Sequence, residues 1–96
     1  MRNFSVPIIK ESSVQTSIIK YLKSEGWFVT KLVSTSTSGI PDLLAIRNGR
    51  TIFIEVKRIG GKTSSIQDYR IKELKSYGVE VFIFDNLQDA KRTLNY

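Results

Sequence analysis

The chain has no cysteine and no histidine among its 96 residues, and only two prolines, one methionine and one tryptophan. Without cysteine there are no disulfides and no thiolate metal sites. The missing imidazole excludes more, because the usual zinc hydrolases, Ser-His-Asp hydrolases and histidine-based nucleases all depend on one. Catalysis, if there is any, must come from carboxylates, amines, hydroxyls and a hard metal ion. Long apolar runs are also absent, and Met1-Arg2-Asn3-Phe4 leads into a mixed segment rather than a signal-like start. These absences lead us to expect a soluble, cytoplasmic protein with no membrane partner. The length predicts a single domain over 1–96. A chain this short buries only about 60–70% of its unfolded surface, near the size at which a partner subunit often completes the burial.

What is present is a 41% hydrophobic composition spread evenly enough to fold, and an excess of positive charge. Fifteen Lys and Arg stand against nine Asp and Glu, a net charge of +6. A basic surface concentrates polyanions around itself, and nucleic acid is the commonest of these.

Residues 1–10 read as a loose lead-in. From Ser12 the pattern turns helical: Val14, Ile18 and Leu22 recur every four residues, Ser12 or Ser13 is placed to cap the start, and Gly26 suits the end. Residues 27–33 (WFVTKLV) read as a strand, with Trp27 and Phe28 expected in the core. A polar Ser/Thr loop follows over 34–39. Strands are predicted over 43–46 and 51–57, joined by Arg47-Asn48-Gly49-Arg50. Asn-Gly is the strongest short hairpin signal, because a type I′ turn needs positive φ at both central positions. After Gly60-Gly61, Ser65 is placed to cap a helix over about 66–77, ended by Gly78. A strand over 79–84 and a short helix over 87–94 complete an α-β-β-β-α-β-α order, an α/β fold.

The hairpin has a chemical consequence. With Asn48-Gly49 as a two-residue turn, cross-strand partners have numbers summing to 97, which sets Asp42 opposite Glu55 with Cβ atoms about 5 Å apart. A bulge would shift this register by one. Glu55 and Lys57, two apart, share a strand face. Ile52, Ile54 and Val56 cover the opposite face, while Phe53 shares the charged one, so that face is half-buried and unpaired charge there is costly. Glu-x-Lys on a strand is ordinarily a solvated salt bridge. Two facing carboxylates repel, however, and Lys57 or a divalent ion must offset that. Mg²⁺ takes oxygen ligands and suits Asp42, Glu55 and a backbone carbonyl, with Val56 the expected donor.

These residues match a known pattern. Ser38-Gly39-Ile40-Pro41-Asp42-Leu43, then Ile54-Glu55-Val56-Lys57, then Ser65-Ile66-Gln67 resemble the PD-(D/E)xK nuclease superfamily, and more closely its VRR-Nuc (virus-type replication-repair nuclease) family. The chain is also similar to archaeal Holliday-junction resolvases. The resemblance runs from about Glu11 to Leu94. It implies a restriction-endonuclease-like α-β-β-β-α-β core with a mixed central sheet flanked by helices. It further implies a Mg²⁺-dependent DNA endonuclease, with Mn²⁺ able to substitute and no small-molecule cofactor. Asp42 and Glu55 match the metal-binding acids, Lys57 the catalytic lysine and Gln67 a supporting glutamine. Glu11 resembles an acid near the metal, although a carboxylate there also suits a helix N-terminus on its own account. Small members imply homodimers that cut branched or junction-containing DNA, and a virus or mobile element as a source.

Basic residues are expected to hold the DNA backbone: Arg47 and Arg50 at the hairpin, Arg58 and Lys62 after the second hairpin strand, and Arg70, Lys72 and Lys75 on the second long helix. The hydroxyls and amides of the 34–39 loop are further candidates for phosphate contact. Tyr69 is expected to pack on the core. Two other readings compete: a basic nucleic-acid-binding module that has lost catalysis, and an RNA nuclease similar to tRNA-intron endonucleases. The intact acids and lysine disfavour the first, and the absence of histidine disfavours the second.

Overall fold

The computed structural model describes residues 9–95. Most of the expected lead-in, including Met1 to Phe4, therefore lies outside the described residues. Helix α1 spans Glu11–Ser24, strand β1 Phe28–Lys31, β2 Leu43–Arg47, β3 Arg50–Val56, helix α2 Ser65–Ser76, strand β4 Glu80–Phe84 and helix α3 Leu87–Leu94. Among these residues no helix is long and apolar enough to cross a membrane.

Helix α1 is capped two or three residues earlier than expected. Lys10 is its N-cap, with no side-chain cap bond, and the Lys10 carbonyl takes the N–H groups of Ser13 and Val14. Ser12 and Ser13 thus lie inside the first turn rather than capping it. The other end follows the expectation. Gly26, at φ 85°, sits just past the C-cap Glu25. Its N–H reaches the Lys23 carbonyl while that of Trp27 reaches the Leu22 carbonyl, a Schellman closure. That closure takes Trp27 out of β1, which is shorter than the expected 27–33. Helix α2 ends in the same way, with Gly78 N–H on Lys75 and Val79 N–H on Leu74.

The turn at Asn48-Gly49 has φ of 51° and 76°, as a type I′ turn requires. The register that follows is the expected one, from Arg47↔Arg50 to Leu43↔Ile54. Strands β1, β2 and β3 are antiparallel, and β4 joins β3 in parallel, giving a mixed four-stranded sheet in the order β1-β2-β3-β4.

Alternation sorts the two sheet faces. Leu43, Ala45, Ile52, Ile54 and Val56 are buried against Val14, Ile18 and Leu22 of α1 and Ala90 and Leu94 of α3. Helix α2, joining the parallel strands β3 and β4, buries Ile71. On the sheet face away from α1, Phe53 and Leu44 are only half-buried, and Phe28 and Ile46 are 61% and 36% exposed. Phe28 is therefore not a core residue, unlike Trp27, which is buried.

Candidate active site

Pro41 decides how the hairpin ends. Continuing the register would pair Pro41 with Val56, and proline has no N–H to give the ladder. The pairing stops at Leu43↔Ile54, and the Val56 N–H is taken instead by Asp42 Oδ2 at 2.8 Å. The backbone of Asp42 is held from the other side, its carbonyl accepting from Leu32 N–H at 2.8 Å. Asp42 is thus fixed one step beyond the last strand pair, at the end of the sheet where β3 leaves it.

Glu55 and Lys57 stand at that same end. Glu55 is 1% exposed, a buried carboxylate on the half-buried sheet face. Lys57 Nζ lies 3.1 Å from Glu55 Oε2 and donates to Gln67 Oε1 at 2.9 Å. Gln67 Nε2 donates to the same Glu55 oxygen at 3.0 Å. Glu55 Oε2 is therefore doubly served, while Oε1 is buried without a hydrogen-bond partner. Burial pushes the Glu55 carboxyl above its usual range, and the Asp42 carboxylate adds to the effect; Lys57 opposes it.

The position of Gln67 is set by the start of α2. Ser64, not Ser65, is the N-cap, and its hydroxyl accepts from Gln67 N–H. The Gln67 side chain returns the bond, Oε1 accepting from Ser64 N–H at 2.9 Å. This reciprocal capping box was visible in the sequence as Ser64-x-x-Gln67, and the expectation of a cap at Ser65 missed it. One amide oxygen thus receives both a backbone N–H and the Lys57 ammonium. Its orientation is consequently determined, because a reversed amide would set donor against donor.

Glu11 does not join the two acids. Among the described residues no three acids form a metal-holding group. Glu11 lies exposed in the first turn of α1, where its charge raises the Glu55 carboxyl only as the smallest of the contributing effects. Val56 directly follows Glu55 in the chain, with its N–H on Asp42 and its side chain in the core.

The basic residues fall into two sets. Arg47 and Arg50 flank the hairpin turn at the far end of β3 from Glu55, roughly 17 Å away at 3.3–3.4 Å per residue. Both have protein partners there: Arg47 donates to the Glu25 carbonyl, Arg50 makes a two-pronged bond to Glu80, and both guanidiniums lie against the Trp27 ring. Arg47 and Arg50, expected to hold DNA, thus stand apart from Glu55 and Lys57. Arg70 is also engaged, donating to the Ser38 carbonyl and to Glu73. Arg58 and Lys62, in the loop after β3, and Lys72 and Lys75, on α2, are exposed. Tyr69 is 59% exposed beside the Arg70 guanidinium rather than packed on the core.

The chain is similar to known proteins. The family model described as archaeal Holliday junction resolvase (Hjc) matches residues 10–83, a span that contains Asp42, Glu55, Lys57 and Gln67. A protein named "Putative nuclease p44", from Acyrthosiphon pisum secondary endosymbiont phage 1, is 32% identical over 88 residues, 91% of this chain and 94% of its own length. A solved structure described as a VRR_NUC domain matches with a TM-score of 0.81 at 24% identity, over 92% of this chain and 98% of that one, which shows a common fold. The chain belongs to the archaeal Holliday junction resolvase (Hjc) family of nucleases.

Proposed function

We propose that this chain is a Mg²⁺-dependent, structure-selective DNA endonuclease acting on branched DNA such as Holliday junctions. The observation that carries the reading is Glu55 Oε1, a carboxylate oxygen buried without a partner beside a second acid. Such an oxygen is costly unless it has a ligand. A binding module gains nothing from it.

The donor set suits a hard cation. Glu55 Oε1, the Asp42 carboxylate and the Val56 carbonyl would hold Mg²⁺, or Mn²⁺ in its place, with water completing the shell. The ion supplies Lewis acidity, which lowers the pKa of a water and polarises a phosphate oxygen. Lys57 has one N–H left after its contacts with Gln67 and Glu55, and offers it to the attacking water or to the charge growing on the phosphate. Gln67 keeps the ammonium from swinging away. Arg58, Lys62, Lys72 and Lys75 neutralise backbone phosphates without reading bases.

The substrate reading includes a homodimer that presents two sites to one junction. The uncovered half of the sheet supports it: Phe28, Ile46 and Thr51 lie in one cross-strand row, Thr30 and Leu44 in the next. None of these carries charge, and on a chain of net +6 an uncharged apolar strip is where a second copy is least repelled.

The test is cleavage of single-stranded, duplex, flap and four-way-junction DNA with Mg²⁺, with EDTA, and by Lys57→Ala. Cutting should need the metal, favour the junction and be lost in the variant, while DNA binding is retained. Full activity of Lys57→Ala would remove lysine from the mechanism, and cutting in EDTA would remove the metal.

A further inference from the structure

Arg70 looks like one more phosphate contact in the sequence, but its surroundings describe a different task. Its side chain is only 14% exposed. Nε donates to the Ser38 carbonyl at 2.8 Å, and a second nitrogen pairs with Glu73 at 2.5 Å. The charge is thus partly offset within α2, and the planar fork is committed to a carbonyl of the polar loop. Gly39, next in the chain, lies so close to α2 that a Cβ would sit 2.7 Å from the Ile66 carbonyl oxygen, and its φ of 79° favours glycine independently. Two residues further on, Pro41 is fully buried, and Asp42 follows with both its carbonyl and its carboxylate bonded.

We propose that Arg70 is a positioning residue: by latching the 34–39 loop onto α2 it fixes the approach of the chain to Asp42, and it does not neutralise a DNA phosphate. This rests on the reading of Asp42 as part of the nuclease site. Arg70 lies three residues after Gln67, on the same side of α2. One helix face thus fixes both halves of the site, Gln67 setting Glu55 and Lys57 while Arg70 sets the segment leading to Asp42. Coupling them through one rigid element keeps the two carboxylates in register although they come from segments well apart in the chain.

Two measurements on the full chain separate a latch from a phosphate contact. The first is the dependence of DNA affinity on salt, taken without metal, for wild type, Arg70→Ala and Lys72→Ala. A residue contacting a phosphate lowers the slope of log affinity against log salt by about 1 when removed. Lys72→Ala should do so, and Arg70→Ala should leave the slope unchanged. The second is hydrogen exchange over residues 34–42, which should quicken in Arg70→Ala with no DNA or metal present, so that it reports on the latch even if the chain does not cut. In the active enzyme, Arg70→Ala should lower kcat by about 10- to 100-fold, the scale of small misplacements at reacting centres, with KM little changed.

Arg70→Lys, able to give the Ser38 carbonyl one bond, should recover part of kcat. Gly39→Ala, whose Cβ would push the loop off α2 at Ile66, should reproduce the kcat loss. The double variant should be little worse than the worse single one, because both release one contact. A slope lowered by about 1 in Arg70→Ala, or unchanged exchange over 34–42, would overturn the assignment. Normal exchange effects in a chain that cuts nothing would instead overturn the nuclease reading and leave the latch standing.

Discussion

Glu55 is the residue whose ionisation the fold opposes most directly. Its carboxyl is raised by burial first and by Asp42 second, so the folded chain holds its proton more tightly than the unfolded chain does. The favourable contribution is therefore present below the ordinary glutamate range and lost as pH rises through the raised value. Glu55→Gln should melt higher than wild type in EDTA at neutral pH, with the gain shrinking as pH falls toward the ordinary carboxylate range. In a domain of this size about 1 kcal/mol corresponds to roughly 4–8 °C, so calorimetry across pH resolves the trend. Mg²⁺ should raise the wild-type melting temperature and leave the variant's almost unmoved. A variant that melts lower at every pH would show that Glu55 stabilises the fold. Glu80 has the opposite sign: its bond to Arg50 holds its carboxyl below the usual range. Its contribution is present above the ordinary value and lost as pH falls through the lowered one. Because its side chain is 45% exposed, Glu80→Gln should cost under about 1 kcal/mol, and less at high salt.

Among the elements, α2 binds the site together and its N-terminus is the sensitive point. Ser64→Ala removes the hydroxyl that accepts from Gln67 N–H, and should cost about 1 kcal/mol in chemical denaturation. Ser64→Gly should cost only a few tenths. If Ser64→Ala were neutral, the capping box would not be what steadies Gln67. Strand β3 contributes differently, since Ile54 is fully buried beneath α1 and α3, and Ile54→Ala should cost about 2–5 kcal/mol through lost burial and the cavity left behind. Helix ends at Gly26 and Gly78, and the turn at Asn48-Gly49, were legible because a positive φ is a local demand that the residue itself answers. The start of α1 was not, because its N–H groups are met by the Lys10 backbone and no side chain advertises the boundary.

At the scale of the molecule, net charge and exposed apolar surface act together. The homodimer reading predicts that Phe28→Lys, placing a charge on a side chain that is 61% exposed, yields a monomer by light scattering without unfolding the chain. It should also lower junction cutting more than the nicking of linear duplex. A chain already monomeric before substitution would rule out this face as the contact. Composition announced the basic surface but could not say which bases were available. Arg47 and Arg50 are drawn to Trp27, Glu25 and Glu80, partners that only folding brings to them.

The sequence by itself determined the order of the elements, the hairpin register and therefore which end of the sheet would gather Asp42, Glu55 and Lys57. Those outcomes follow from short-range rules, a two-residue turn and a period of two, which any long-range packing must respect. Only the tertiary structure decided that Glu55 keeps one oxygen buried and unpartnered, that Gln67 reaches across from α2 to both Glu55 and Lys57, and that Glu11 stays outside the acid pair. Burial and contact between residues distant in the chain depend on where whole helices come to rest against the sheet, which no local pattern specifies.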